Sequence, residues 1–127
     1  MSPSEPAPHP AELRIAQRVA GSIPVVVAVG EIDADTAPLL ADAVKSTLDR
    51  AAGQPCVLDL TGVDFLNSAG LTALVDATRH GRARREPLRI VVDANRPVIR
   101  PIQVTGLDDV LALYHTVEEA LNARSER

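Results

Sequence analysis

From Leu13 to Val19 apolar and polar side chains largely alternate (LRIAQRV), the period of a strand with one buried face. After a turn at Gly21-Ser22 the pattern changes. Residues 23 to 32, IPVVVAVGEI, are nearly continuous in apolar, β-branched side chains, as expected of a strand covered on both faces. A helical period follows: Leu39, Leu40, Ala43, Val44, Thr47 and Leu48 recur three and four apart, behind Asp35, Thr36 and Pro38, predicting an amphipathic helix that ends near Gly53. CVLDL, residues 56 to 60, predicts another buried strand. Leu71, Leu74, Val75 and Thr78 then predict a helix that begins close to Asn67 or Ser68 and runs to Gly81. LRIVV at 88 to 92 reads as a strand, Val98, Ile99, Ile102 and Gln103 behind Pro97 as a short helix, and Leu111 with Leu113 as a last short strand. Thr116, followed three residues later by Glu119, has the form of a capping box opening a terminal helix through Ala123.

The predicted order is therefore β-β-α-β-α-β-α-β-α, an α/β fold. Strands separated by helices pair in parallel through right-handed crossovers, and the opening pair forms a hairpin at one side. This predicts a small mixed sheet of four to five strands with about four α-helices on its faces.

At 127 residues the chain is the size of one domain. Residues 11–124 are assigned to it. The segment 1–10, MSPSEPAPHP, has four prolines and little to bury, so it reads as a disordered tail, with 125–127 as a short C-terminal one. Tyr114 and Phe65 are the only aromatics, which leaves the core to Val, Leu, Ile and Ala. Thirteen basic against seventeen acidic residues, a net charge of −4, argue against direct nucleic-acid binding or attraction to an anionic membrane. The single cysteine, Cys56, fits a reducing compartment, and no apolar run has the ~20 residues of a membrane span. These features point to a soluble cytoplasmic protein for which a monomer suffices.

Two stretches carry candidate chemistry. In VDFLNSAGLTALV, residues 63 to 75, the polar pair Asn67-Ser68 stands at a strand-to-helix junction between apolar runs. Unpaired N–H groups and the helix dipole there favour an oxygen acceptor and, more strongly, an anion, so Ser68 is either an N-cap or a phosphate acceptor. Ala69 and Gly70 leave the first turn almost bare, open to a partner's close approach or to tight packing on the sheet. In GEIDADT, residues 30 to 36, Glu31, Asp33 and Asp35 lie at the carboxyl end of the central strand, where open α/β sheets usually place their ligands. They read as helix caps or as a surface for a basic partner. Arg79, Arg82, Arg84, Arg85 and Arg89 form a basic cluster that reads as a solvated helix end and loop, with a partner or anion contact as the lesser alternative. A nucleophile elbow, a P-loop and a dinucleotide fingerprint are all absent, so no hydrolase, cofactor or metal is implied.

Three segments in this order, GEIDADTAPLL, VLDLTGVDFLNSAGLTAL and RPVIRPIQVTGLDDV, resemble the STAS domain family over roughly residues 13 to 123, in particular the bacterial anti-sigma factor antagonists. The resemblance implies a small mixed sheet with helices on its faces. It implies that Ser68 is the residue phosphorylated by an anti-sigma factor that is itself a serine kinase of the GHKL ATPase type. Unphosphorylated protein would capture the kinase and free the sigma factor, phosphorylation would end the capture, and a PP2C-type phosphatase would restore it. By the same resemblance Asp33 is an acidic residue of the partner surface and Gly70 the glycine of the phosphoacceptor loop, with Asn67, Ala69 and Thr72 beside them. The chain departs from the family at Asn67, where Asp is common, and at Ala69, where Ser or Thr is frequent. Asn keeps the capping ability of Asp and loses its charge. That departure supports an alternative role as a non-phosphorylated docking subunit of a transporter or stress-signalling complex.

Overall fold

The computed structural model describes residues 12–51 and 53–123. The segments 1–10 and 125–127, expected to be tails, lie outside the described residues. Strands β1 (Leu13–Ala20) and β2 (Ile23–Ile32) form an antiparallel hairpin around Gly21, whose φ of +64° suits a residue without a side chain. Strands β3 (Cys56–Leu66), β4 (Leu88–Val91) and β5 (Ala112–Tyr114) add in parallel, so the sheet order is β1-β2-β3-β4-β5. Helices α1 (Ala37–Arg50), α2 (Ser68–Ala83) and α3 (Arg96–Val104) fill the crossovers, a 3-10 turn at Leu107–Asp109 precedes β5, and α4 (Val117–Asn122) closes the domain. Among the described residues, five strands and four α-helices stand in the predicted order.

The continuous hydrophobicity of β2 has a direct cause. Val26, Ala28 and Ile32 face Leu40 and Val44 of α1 and Leu74 of α2 in one core, while Val25 lies with Val57, Val91 and Ala120 of α4 in a second core on the opposite face. Both faces of the central strands are thus covered, and each fully buried Val, Leu or Ile contributes about 1.5–3 kcal/mol.

Strand β3 is longer than its predicted 56–60. It continues to pair with β2 as far as Ile32↔Leu66, but the register shifts between Val27 and Val29 and again between Gly30 and Glu31. The buried residues along this stretch become Leu60, Val63 and Leu66, three apart. A pattern with period three matches neither strand nor helix, which is why these residues read as a loop. Pairing with β4 has already ended at Asp59↔Val91. Beyond it the side-chain amide of Asn95 donates to the carbonyls of Leu60 (2.8 Å) and Val63 (2.7 Å).

Arg79, Arg82, Arg84 and Arg85 of the basic cluster are exposed at the end of α2 and in the turn after it, as expected of a solvated helix end and loop, and Arg89 alone departs from that reading. Arg89 is 3% exposed within β4, and its Nη1 donates to the Ala120 carbonyl of α4 at 2.8 Å. Arg82 donates to the Val110 carbonyl, and Arg84 pairs with Asp49 of α1 at 2.7 Å. At α4 the Thr116 hydroxyl accepts from the Glu119 N–H, as the capping box requires, whereas the Glu119 carboxylate accepts from the N–H of His115, one residue earlier than predicted.

Candidate functional site

The carboxyl ends of β2 and β3 stand side by side. Ile32 pairs with Leu66, and the Asn67 N–H donates to the Ile32 carbonyl at 3.3 Å. This contact brings the turn at 33–36 and the start of α2 to one edge of the sheet, uniting two segments distant in sequence.

At that edge Asn67, extended at φ −107° and ψ −169°, is the N-cap of α2. Its Oδ1 accepts from the N–H groups of Ala69 (3.0 Å) and Gly70 (3.2 Å), and its carbonyl accepts from Leu71 N–H at 3.0 Å. The alternative in which Ser68 is the cap is therefore replaced. Ser68 is the first helical residue, exposed, and its hydroxyl makes no hydrogen bond among the described residues. The Ser68 carbonyl accepts from the hydroxyl of Thr72, one turn along and likewise exposed. The expectation that free helix N–H groups would receive a phosphate also changes, because those of Ala69 and Gly70 already hold Asn67.

Gly70 is buried and takes the packing alternative of the two its small size allowed. A Cβ there would meet Leu66 Cδ1 and come within 2.8 Å of Ile32 Cγ2, and the missing side chain is what lets the first turn of α2 rest on the ends of β3 and β2. Ala69 is half-buried against the same core. Of the α2 residues singled out in the sequence, Ser68 and Thr72 present the exposed polar surface.

Asp33 caps the turn at 34–36 that leads into α1, whose own N-cap, Thr36, makes no side-chain cap bond. Its Oδ1 accepts from the N–H groups of Asp35 (2.9 Å) and Thr36 (3.1 Å), while its own N–H donates to the Thr36 hydroxyl at 2.9 Å. The Thr36 hydroxyl in turn donates to the Glu31 carbonyl at 2.8 Å, and the Asp33 carbonyl accepts the N–H of Ala37. This reciprocal arrangement starts α1 and leaves Glu31 and Asp35 exposed beside it. Among the described residues no three His, Cys, Asp or Glu side chains are grouped to hold a metal.

Cys56 begins β3 at the far end of the sheet. Burial, then the neighbouring Glu86 carboxylate, push its thiol up to about 12, so it is a protonated core residue and no nucleophile. A cavity of 340 Å³ also opens at that far end, lined by Gln17, Val19, Pro24, Thr47 and Arg50, none of which belongs to the Asp33–Ser68 edge. No helix among the described residues is long and apolar enough to cross a membrane.

Fold and site together define a small mixed α/β domain whose distinctive surface is an exposed loop-and-helix edge. The chain belongs to the STAS domain family, which it matches over residues 14–120. It is 34% identical over 100 residues to the anti-sigma-F factor antagonist RsfA of Mycobacterium tuberculosis, covering 78% of this chain and 77% of that one. It is 32% identical over 113 residues to the anti-sigma-B factor antagonist of Listeria monocytogenes, covering 89% and 96%. The crystal structure of an anti-sigma factor antagonist from Mycobacterium paratuberculosis is similar with a TM-score of 0.76 at 31% identity, covering 87% of this chain and 92% of that one.

Proposed function

We propose that this protein is an anti-sigma factor antagonist that acts in the cytoplasm as a monomer. Its exposed edge at Asp33, Asn67, Ser68 and Thr72 binds an anti-sigma factor that is a GHKL-type serine kinase, and the sigma factor bound to that kinase is released for transcription. Phosphorylation of Ser68 ends the capture and a PP2C-type phosphatase reverses it. The observation that carries this reading is the exposed Ser68 hydroxyl, uncommitted because Asn67 supplies the cap.

Phosphorylation adds about −1.5 to −2 charges to a neutral side chain, enough to disrupt a close interface by repulsion and desolvation. The Asn67 cap already occupies the N–H groups of Ala69 and Gly70. A phosphate on Ser68 therefore acts outward on the partner, with no need to remodel α2. The helix dipole still favours the added charge by about 0.3–1 kcal/mol, so the modified domain stays folded. Asn67 retains the cap a carboxylate would provide but brings no charge to orient a kinase, which favours slow phosphorylation.

The neutral Asn67 also favours a second reading, a docking subunit of a transporter or stress-signalling complex that is never modified. Affinity capture with wild type and Ser68→Asp as paired baits separates the two. Capture of an ATPase-fold serine kinase by wild type, its loss from Ser68→Asp, and phosphate on Ser68 after incubation with that kinase and ATP support the antagonist. The same stoichiometric partner on both baits supports the docking subunit and overturns the switch.

A further inference from the structure

Asn95 lies one residue before α3, a position where Asn commonly caps the helix through its side chain. Here it makes no such cap. The carboxamide reaches across to β3, and the Nδ2 group gives its hydrogens to the carbonyls of Leu60 and Val63 at 2.8 and 2.7 Å. Two carbonyl acceptors require the NH₂ end of the amide to face them.

In a regular strand, carbonyls three residues apart point to opposite edges. Those of Leu60 and Val63 meet at one donor because the chain between them, Thr61-Gly62, carries the first register shift: Val27 and Val29 of β2 are matched by Asp59 and Gly62 of β3. Asn95 thus clasps a bulge at the point where β3 has outrun β4. The bulge sets the register in which Gly62 and Val63 pair with Val29 and Gly30, and the second shift, between Gly30 and Glu31, then passes that register on to Phe65 and Leu66. Val63 and Leu66 turn inward, 2% and 6% exposed, while Asp64 and Phe65 turn out, Phe65 to 45%. Leu66 and its β2 partner Ile32 form the seat for Gly70, and the next residue, Asn67, caps α2. A slip of one residue would exchange Leu66 for Phe65 on the inner face and remove that seat.

We propose that Asn95 is a positioning residue for Ser68: by clasping the Leu60–Val63 bulge it fixes the register with which β3 enters its second shift, and so the position and cap of the helix turn that carries the serine. Asn95 is itself anchored, donating its N–H to the Val92 carbonyl and accepting from Val98 and Ile99 N–H at its own carbonyl, so the start of α3 and the Ser68 turn are coupled through one side chain. The consequence for regulation rests on Ser68 being the phosphoacceptor; the clasp itself does not.

The test compares amide hydrogen exchange in wild type, Asn95→Ala and Asn95→Asp, with Val44→Ala as a control that loosens the core beneath α1. Ala69 and Gly70 amides report the Asn67 cap, and the Ile90 amide reports global opening. In Asn95→Ala the Ala69 and Gly70 amides should exchange at least tenfold faster relative to Ile90, with a larger change in Asn95→Asp, whose carboxylate faces two carbonyls. In Val44→Ala the ratio should stay at its wild-type value. An unchanged ratio in Asn95→Ala overturns the proposal. If Asn95→Asp does not fold, Asn95→Ala, which adds no charge, decides alone. With the kinase captured by wild type in hand, kcat/KM for Ser68 phosphorylation should fall tenfold or more in Asn95→Ala and hold in Val44→Ala; equal values in Asn95→Ala and wild type overturn the positioning role. The exchange measurement needs no partner, so failure to capture a kinase counts against the phosphoswitch alone.

Discussion

Asn67 caps the helix that Ser68 begins. The side-chain oxygen of Asn67 holds the amides of Ala69 and Gly70, and the neighbouring hydroxyl is left exposed with nothing to hold. Structural support and chemical availability are thus divided between two adjacent polar residues.

That division predicts that Ser68 is a poor stability residue and a strong binding residue. Ser68→Ala should change unfolding free energy by no more than about 0.5 kcal/mol, as for other exposed positions. Ser68→Asp should be neutral or stabilising by about 0.3–1 kcal/mol, because a carboxylate meets the positive end of α2. Affinity for the captured anti-sigma factor should survive in Ser68→Ala and fall about 100-fold, or roughly 2.7 kcal/mol, in Ser68→Asp. Urea unfolding and calorimetry give the two quantities.

Asn67 behaves in the opposite manner. Asn67→Ala should cost about 1 kcal/mol by removing the acceptor of two N–H groups, whereas Asn67→Asp keeps the acceptor and should lose nothing. Asn67→Asp should also raise the initial rate of Ser68 phosphorylation if the kinase orients on a carboxylate. Denaturant midpoints and a timed phosphorylation assay check each part.

At Asp33 the cap and the charge can be separated. Asp33→Asn retains an oxygen for the N–H groups of Asp35 and Thr36 and should unfold close to wild type, while Asp33→Ala should cost about 1 kcal/mol. If the negative charge serves the partner surface, Asp33→Asn weakens binding at unchanged stability. Equal affinity would confine Asp33 to starting α1.

Gly70→Ala should destabilise by about 1–3 kcal/mol, since the new methyl meets Leu66 and the stiff β-branched side chain of Ile32. The better helix propensity of alanine offsets part of this, about 1 kcal/mol. The measured quantity is the urea midpoint, and a midpoint at or above the wild-type value would show that the seat can yield.

Cys56 supplies the pH prediction. Its thiol is raised from an ordinary 9.0 to about 12 by burial, so the folded protein holds a proton that the unfolded chain releases earlier. The associated stability is fully present below pH 9, declines above it and is lost by about pH 12. At pH 8 the native protein should be inert to a thiol reagent, with modification following global unfolding in added urea. Rapid modification without denaturant would show that the first strand residue opens locally.

Much of the fold was legible in the chain because each period is a local property. The hairpin, the doubly covered β2, the starts of α1 and α2 and the short elements after β4 can all be read from spacing alone. The second half of β3 cannot, since its bulges replace alternation with a spacing of three, and those bulges are defined only by pairing with β2. Asn95 gives no local sign of its clasp on β3, because its acceptors lie more than thirty residues away. Arg89 misled for a related reason: a basic neighbourhood in sequence concealed a guanidinium that turns onto the carbonyl of Ala120.

The sequence by itself determined the order of elements and the placement of Asn67-Ser68-Ala69-Gly70 at the start of a helix, since hydrophobic period and capping chemistry act over a few residues. Only the tertiary structure decided that Asn67 is the cap, that Ser68 is free, that Gly70 is a packing residue and that Asp33 shares an edge with them. The packing of Gly70 and the shared edge depend on the pairing of Ile32 with Leu66, a contact between residues far apart in the chain that forms only when the sheet closes.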